Sequence, residues 1–366
     1  MTEETKATAR QFKCEKCGAD MDFAPGKSAL KCPYCSHENH IPQCQEEVRE
    51  LDFNRYLSQL DDTDDFVESE TVKCAACGAQ TTLDPSIVSD SCAFCGSSLV
   101  TQTSSDRLIK PKSLLPFKVT DKEAKSSFKK WILGLWFAPN ALKKYARIES
   151  SVNGMYIPYW TYDTTTFTWY DGQRGEDYWE TQHYTETVDG KTVHKTRQVR
   201  KTRWYPASGT VWNNFDDLLV LGSTSLPKKY ADELEPWDLE NLVSYQDDFL
   251  SGFRTENYHI GLEEGFVEAK ERMDAPIRAT VRRDIGGDHQ RIHSMSVQYN
   301  NITFKHILLP VWISAYRYNQ NVYRFLVNAR TGEVQGERPW SWVKITLAVL
   351  AGILLILGIV IGIQHS

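Results

Sequence analysis

Cys14-Glu15-Lys16-Cys17-Gly18, followed by Cys32-Pro33-Tyr34-Cys35, decides how the N-terminal part of this chain folds. The pattern returns as Cys74-Ala75-Ala76-Cys77-Gly78 and Cys92-Ala93-Phe94-Cys95-Gly96. Adding sixty to 14, 17, 32 and 35 gives 74, 77, 92 and 95, and the same offset relates Lys13 to Lys73, Ala19 to Ala79 and Pro25 to Pro85. A match that extends beyond the cysteines is an internal duplication. Two residues between thiolates allow a tight turn that aims both sulfurs at one ion, and a glycine after the second eases that turn. Two such knuckles joined by a hairpin close a tetrahedron of sulfurs. Four thiolates select zinc and fill its shell, so two structural zinc ions are expected. Cys14, Cys17, Cys32 and Cys35 would hold the first, and Cys74, Cys77, Cys92 and Cys95 the second. Each ribbon has little core of its own, so metal binding and folding should be coupled. Redox-active pairs and an iron site are the competing readings of the same spacing.

Eight of the nine cysteines are used in this way, and Cys44 is left over as a small half-buried thiol or a redox-sensitive spare. His37 and His40 follow a quartet already complete at Cys35 and read as solvated. At 366 residues the chain fits two or three domains, and a net charge of -6 gives no overall pull towards nucleic acid or anionic membrane. Met1 to Arg10 has no apolar run and is no secretory signal. Cysteines devoted to metal agree with a reducing compartment.

The other end of the chain is different in kind. Ile345 to Ile363 reads ITLAVLAGILLILGIVIGI without a charge, long enough at about 1.5 Å per residue to cross a bilayer core. Trp340 and Trp342 suit the headgroup boundary, and Lys344 can snorkel beside them. Arg338 and Lys344 precede the span and neither Lys nor Arg follows it, which places the N-terminal domains in the cytoplasm of a single-pass inner-membrane protein. Gly358 and Gly362 have the spacing that lets two membrane helices approach, as in a homodimer or with a partner helix.

Between these ends the expected layout is a disordered lead-in over 1–10, a first ribbon over 11–43, a helix and acidic linker over 44–70 and a second ribbon over 71–100. A linker over 101–108, an α+β domain with an antiparallel sheet over 109–339, and the transmembrane helix with its tail over 340–366 complete it. Glu46 to Leu60 carries Val48, Leu51, Phe53, Tyr56, Leu57 and Leu60 at mixed helical spacing. Asp121 to Leu135 reads as a helix capped by Asp121. Tyr258 to about Asp284 reads as another, broken or kinked near Pro276 and stopped at Gly286-Gly287. Leu114-Leu115-Pro116-Phe117, Tyr156-Ile157-Pro158-Tyr159-Trp160 and Leu308-Leu309-Pro310-Val311-Trp312 share a theme in which proline should mark a strand start at the rim of a sheet. Tyr316–Val322 and Tyr323–Gly336 supply further strands, turned at Asn319-Gln320-Asn321 and Thr331-Gly332.

Glu176 to Trp204 folds on paper about the two-residue turn Asp189-Gly190. Pairing outward sets Tyr184 opposite Lys195, Gln182 opposite Arg197, Tyr178 opposite Lys201 and Glu176 opposite Arg203. The other face sets His183 opposite Thr196 and Trp179 opposite Arg200. Neither face is apolar, so the ribbon should project into solvent or lie on a partner. Lys195, Arg197, Lys201 and Arg203 would either pair across the strands or dock acidic lipid headgroups or an acidic protein.

No catalytic motif emerges. Gly26-Lys27-Ser28 resembles the end of a phosphate loop, but the earlier glycine is replaced by Met21. Asp216-Asp217 and Glu263-Glu264 are adjacent acids of the kind that is usually solvated, and Ile285-Gly286-Gly287-Asp288 is a tight turn. No catalytic residue and no enzyme activity are expected.

The order of features resembles a bacterial family of tail-anchored proteins with two zinc ribbons. Its members are labelled TFIIB-type zinc-ribbon proteins or, loosely, a primosomal replication helicase. The segments that carry the resemblance are the two ribbons, Pro111-Lys-Ser-Leu-Leu-Pro-Phe117, Gly154-Met-Tyr-Ile-Pro-Tyr-Trp160, and Gly172-Gln-Arg-Gly175 before Tyr178-Trp179. Ile285-Gly-Gly-Asp288 and Asn328-Ala-Arg-Thr-Gly-Glu-Val334, running on to Gly336-Glu-Arg-Pro-Trp340, complete the set. The resemblance implies an inner-membrane scaffold in envelope-stress assemblies, with PspA-like or SPFH-type proteins as companions. A nucleic-acid-binding module and a membrane-bound enzyme are the alternatives. Against nucleic acid, Lys13, Lys16, Lys27 and Lys31 of the first ribbon are offset by Glu15, Asp20, Asp22 and Glu38.

Overall fold

The computed structural model describes residues 12–42, 49–58, 66–74, 80–82, 92, 103–142, 152–188, 191–319 and 321–364. Cys44, Cys77, Cys95 and the turn Asp189-Gly190 lie outside the described residues.

The chain begins with three short antiparallel strands, β1 (Asp22–Phe23), β2 (Ala29–Lys31) and β3 (Glu38–His40). Next come β4 (Leu51–Asp52) and helix α1 (Phe53–Ser58), then β5 (Phe66–Lys73), β6 (Gln80–Thr82) and β7 (Thr103–Ile109), a second three-stranded sheet in the order β6-β5-β7. The expected linker over 101–108 is thus largely strand, since Thr103–Ile109 pairs with Phe66–Lys73 along its length. Of the helix expected over Glu46–Leu60, residues 46–48 and 59–60 lie outside the described residues, and within 49–58 the helical part is α1, preceded by β4. Asp52 Oδ1 accepts the Arg55 N–H at 2.7 Å and so starts the helix late, while Leu51 is held in a ladder with Phe304.

The large domain continues with β8 (Ser113–Leu114), α2 (Asp121–Gly134), β9 (Asn153–Val188), β10 (Lys191–Leu221), α3 (Lys228–Asp232), β11 (Val243–Ser244) and β12 (Arg254–Thr255). Helix α4 (Leu262–Ile285), β13 (His289–Tyr318), β14 (Asn321–Asn328), β15 (Val334–Gly336) and α5 (Trp342–Gln364) complete it. The sheet is antiparallel in the order β10-β9-β13-β14-β15, with β4, β8, β11 and β12 at its margins. Strands and helices are segregated, as the α+β reading requires. Strands β9 and β10 have 36 and 31 residues.

Helix α4 covers one face. Leu262, Phe266, Ala269, Met273, Ile277, Val281 and Ile285 recur every three or four residues; the first five are buried against Trp160, Tyr162 and Phe304, the last two against Tyr170 and Val211. Pro276 does not break it: the proline is exposed, and Met273 and Ile277 on either side are fully buried. Gly286 ends the helix at φ 67°, as Gly286-Gly287 predicts. Thr120, not Asp121, caps α2. Its hydroxyl accepts the Glu123 N–H, and the Glu123 carboxylate accepts the Thr120 N–H at 2.8 Å.

Pro158 and Pro310 lie inside β9 and β13 rather than at strand starts. The Pro158 carbonyl accepts from Gly222, just past the end of β10, and the Pro310 carbonyl accepts from Ala329, just past β14. In an antiparallel strand a residue's N–H and C=O face the same neighbour, so each missing N–H falls where that neighbour has already left the ladder. The turns near Asn319 and at Thr331-Gly332 fall where expected, although β13 stops at Tyr318 and β14 resumes at Asn321.

Candidate metal centre

The first ribbon brings its four cysteines together. The sulfurs of Cys14, Cys17, Cys32 and Cys35 all lie within 4.8 Å of one another, with Cys14–Cys35 and Cys17–Cys32 both at 3.5 Å. Four sulfurs about 2.3 Å from one ion would be separated by about 3.8 Å, so the set is nearly spaced for a tetrahedral metal. Each knuckle is locked by backbone hydrogen bonds: Gly18 N–H to Cys14 O at 2.8 Å in the first, Ser36 N–H to Cys32 O at 3.0 Å in the second. Both turns need left-handed backbone, supplied by Gly18 at φ 76° and, less comfortably, by Ser36 at φ 57°. The N–H groups of Cys35 and Tyr34 draw the Cys32 thiol down to about 7. Cys17 is pushed up to about 12: its hydrogen bond from Ala19 lowers it, but the thiols of Cys32 and Cys35 outweigh that. Among thiols alone the charges crowd one another; a divalent cation at the centre would favour all four thiolates.

The ribbon is built into the larger domain. Phe23 N–H donates to Ser251 O, Ser251 Oγ donates to Met21 O at 2.6 Å, and Gly26 N–H donates to Phe117 O at 2.9 Å. Phe23 meets the Phe249 ring at 5.4 Å, and Met21, Phe23 and Leu30 join one apolar cluster with Phe117, Phe128 and Trp312. Two of the lysines around the centre are paired, Lys13 with Asp20 and Lys27 with Glu38, each at 2.6 Å.

For the second quartet the structure describes Cys74 and Cys92, both buried in the cluster formed by Leu115, Ile157, Tyr159 and Ile307. Among the described residues there is one complete four-cysteine set.

The hairpin register is the expected one at all six pairs. Beyond Gly175, where β13 ends its pairing, β9 and β10 continue as a two-stranded ribbon for roughly 40 Å at about 3.3 Å per residue. Its basic residues are engaged across the strands. Lys195 meets Glu186 at 2.6 Å, Lys201 pairs with Glu180, Arg197 donates to Gln182 and covers the Tyr184 ring, and Arg203 covers the Tyr178 ring. At its root the two glycine motifs meet: Asp288 N–H donates to Gly175 O, and Asp288 Oδ2 accepts the Asp177 N–H at 2.8 Å. The Asn328–Glu333 motif is likewise a brace. Arg330 grips Asp238 through Nε and Nη2 and reaches Pro116 O at 2.9 Å, while buried Asn328 donates to Leu234 O.

A polar centre that motif reading passed over lies under the sheet. Lys305, with 7% of its side chain exposed, sits 2.6 Å from Asp217 and 3.2 Å from Glu50. Thr303 bridges Glu50 and Asp163, and Asp163 also accepts the Asp217 N–H. Burial pushes Asp163 up to about 6. Oxygens of Glu50, Asp163 and Asp216 also lie within 4.8 Å of one another. The ammonium of Lys305 already supplies the cation there. A lysine between Phe304 and His306 in an apolar strand was the available signal, beside the adjacent acids Asp216-Asp217.

At the far end, α5 is apolar over Trp342–Ile363, long enough to cross a membrane, with none of it buried. Trp340 and Trp342 are exposed at its start, and nothing lies within 4 Å of where a Cβ on Gly358 or Gly362 would sit.

No family model matches this chain, and no solved structure does. The chain is similar to the Bacillus subtilis (strain 168) protein YdjG, described as uncharacterized, with 26% identity over 335 residues that make up 91% of each chain.

Proposed function

We propose that the protein is a membrane-anchored zinc scaffold, with two structural zinc ions, one single-pass helix in the inner membrane and its ribbons in the cytoplasm. The observation that carries this reading is the seating of the first ribbon on the sheet domain, with Cys14 and Cys32 buried in the shared apolar cluster. A four-sulfur shell leaves no position for water or substrate. The ribbon's seating on Phe117, Phe249 and Ser251, through Gly26 and Phe23, suits an ion that shapes a surface for a protein partner. The ion pairs Lys13–Asp20 and Lys27–Glu38 support protein over nucleic acid, because phosphate binding needs uncompensated basic groups. The resemblance to tail-anchored zinc-ribbon proteins supplies the class of partner, a PspA-like or SPFH-type membrane protein in an envelope-stress assembly.

Affinity isolation of the tagged protein from membranes tests this. Co-isolation of a PspA-like or SPFH-type protein is expected, and its loss with Cys74→Ser plus Cys77→Ser while the chain stays in the membrane fraction. Salt-sensitive retention of DNA with no protein partner would favour a tethered nucleic-acid module instead.

A further inference from the structure

The end of α2 and the loop after it carry apolar side chains that face outward. Leu133, Trp136 and Phe137 are 46%, 79% and 37% exposed, whereas Leu135 among them and Ala138 just after them are buried. The alternation pins the backbone to the domain and turns the large rings away from it. The same backbone is tied to the start of α5. Ser341 N–H donates to Phe137 O at 2.8 Å, and Lys344 Nζ donates to Trp136 O at 3.1 Å and to Ala138 O at 2.8 Å. These bonds set the rings beside the first turn of the one described helix that is long and apolar enough to cross a membrane. Exposed Lys129 and Lys130 lie about one turn behind Leu133 on α2.

Indole and phenyl rings backed by lysines match the headgroup region of a bilayer, which takes an apolar body with a polar margin. We propose that Leu133, Trp136 and Phe137 form a second membrane-contacting element, a wedge that enters the headgroup layer beside α5. The proposal rests on α5 spanning the membrane. Lipid is the occupant because three hydrogen bonds join this loop to the segment where α5 leaves the water. The domain then sits on the bilayer at two points instead of hanging from one helix.

The full chain, reconstituted into phosphatidylcholine–phosphatidylglycerol vesicles that carry a photoactivatable phospholipid, provides the test. After irradiation and peptide mapping, lipid adducts are expected on both 133–137 and 342–363. Trp136→Glu with Phe137→Glu should lower adducts on 133–137 by about fivefold or more and leave those on 342–363 unchanged. Both rings are exposed, so the core beneath should keep its circular dichroism spectrum. Lys344→Met keeps the rings but removes two of the three bonds that hold the loop against α5, and should lower the same adducts. Adducts on 342–363 alone would overturn the wedge and leave the spanning helix standing, whereas adducts on neither segment would overturn both.

Discussion

Lys305 and Asp217 form an ion pair of 2.6 Å beneath the central sheet, with 7% of the lysine side chain exposed. Removing one partner from a buried pair leaves the other charge without compensation. Lys305→Met should therefore cost roughly 2 kcal/mol at pH 7, less than the full buried-pair penalty because Asp217 and Glu50 are partly solvated. The cost should shrink below pH 6, where Asp163 takes up a proton. Denaturant melts at pH 7 and pH 5 check both points, and equal stability at pH 7 would show the pair to be screened.

Two buried groups give the stability curve opposite slopes. His306, fully buried with Nδ1 2.9 Å from Ile109 O, is held down to about 4 by desolvation. The unfolded chain protonates it first, near 6.5, so its contribution is complete above 6.5 and lost as pH falls towards 4, about 3 kcal/mol in all. Glu256 is pushed up to about 8 by burial, against the lowering pull of Ser225 and Ser223. Its contribution is complete below about 4.5 and lost as pH climbs to 8. Glu256→Gln should flatten the decline from pH 6.5 to 8 and expose the acid-side loss due to His306. Melting temperatures across pH 4 to 9 read this directly.

Ser36 occupies the left-handed position that Gly18 fills in the other knuckle. Ser36→Gly should relieve about 1 kcal/mol of backbone strain, and Gly18→Ala should add a similar amount. On the proposal that the ribbon folds around zinc, the change should appear as about fivefold tighter zinc retention against a chelator. The intact chain should carry two zinc equivalents by elemental analysis, with Cys17→Ser plus Cys35→Ser removing one. Two equivalents retained in that variant would take the metal away from the first ribbon.

A Cβ at Gly172 would lie 2.2 Å from the carbonyl oxygen of Arg291, next to the register shift between Ile292 and Ser294. Backbone cannot yield that far without parting β9 from β13. Gly172→Ala should destabilise the protein by about 2 to 3 kcal/mol and open the root of the ribbon. Limited trypsin digestion should then cut within 191–203 sooner than in the parent, and an unchanged pattern would show that the sheet absorbs the methyl group.

Much of this architecture was readable from residues alone, and for identifiable reasons. The pairing of Tyr184 with Lys195 and of Glu176 with Arg203 follows from a two-residue turn, because a turn of fixed length leaves one register. The first thiol quartet follows from spacing. The length of β9 and β10 does not, since threonines at 164, 165, 166 and 168 blur any alternation in the middle of β9. Helix ends were set by capping that local pattern undervalues, with Thr120 claiming the start of α2 and Asp52 delaying α1. The Lys305 centre joins Glu50, Asp163 and Asp217 across distant parts of the chain, and no local pattern announces such a meeting.

Lys344, fastened to the carbonyls of Trp136 and Ala138, also denies α5 free rotation about its own axis. The azimuth of Gly358 is therefore set by the loop after α2, about 21 Å away along the helix at 1.5 Å per residue. Two chains that met along Gly358 and Gly362 would hold their cysteine ribbons at one mutual bearing, with a single ammonium group as the keyway.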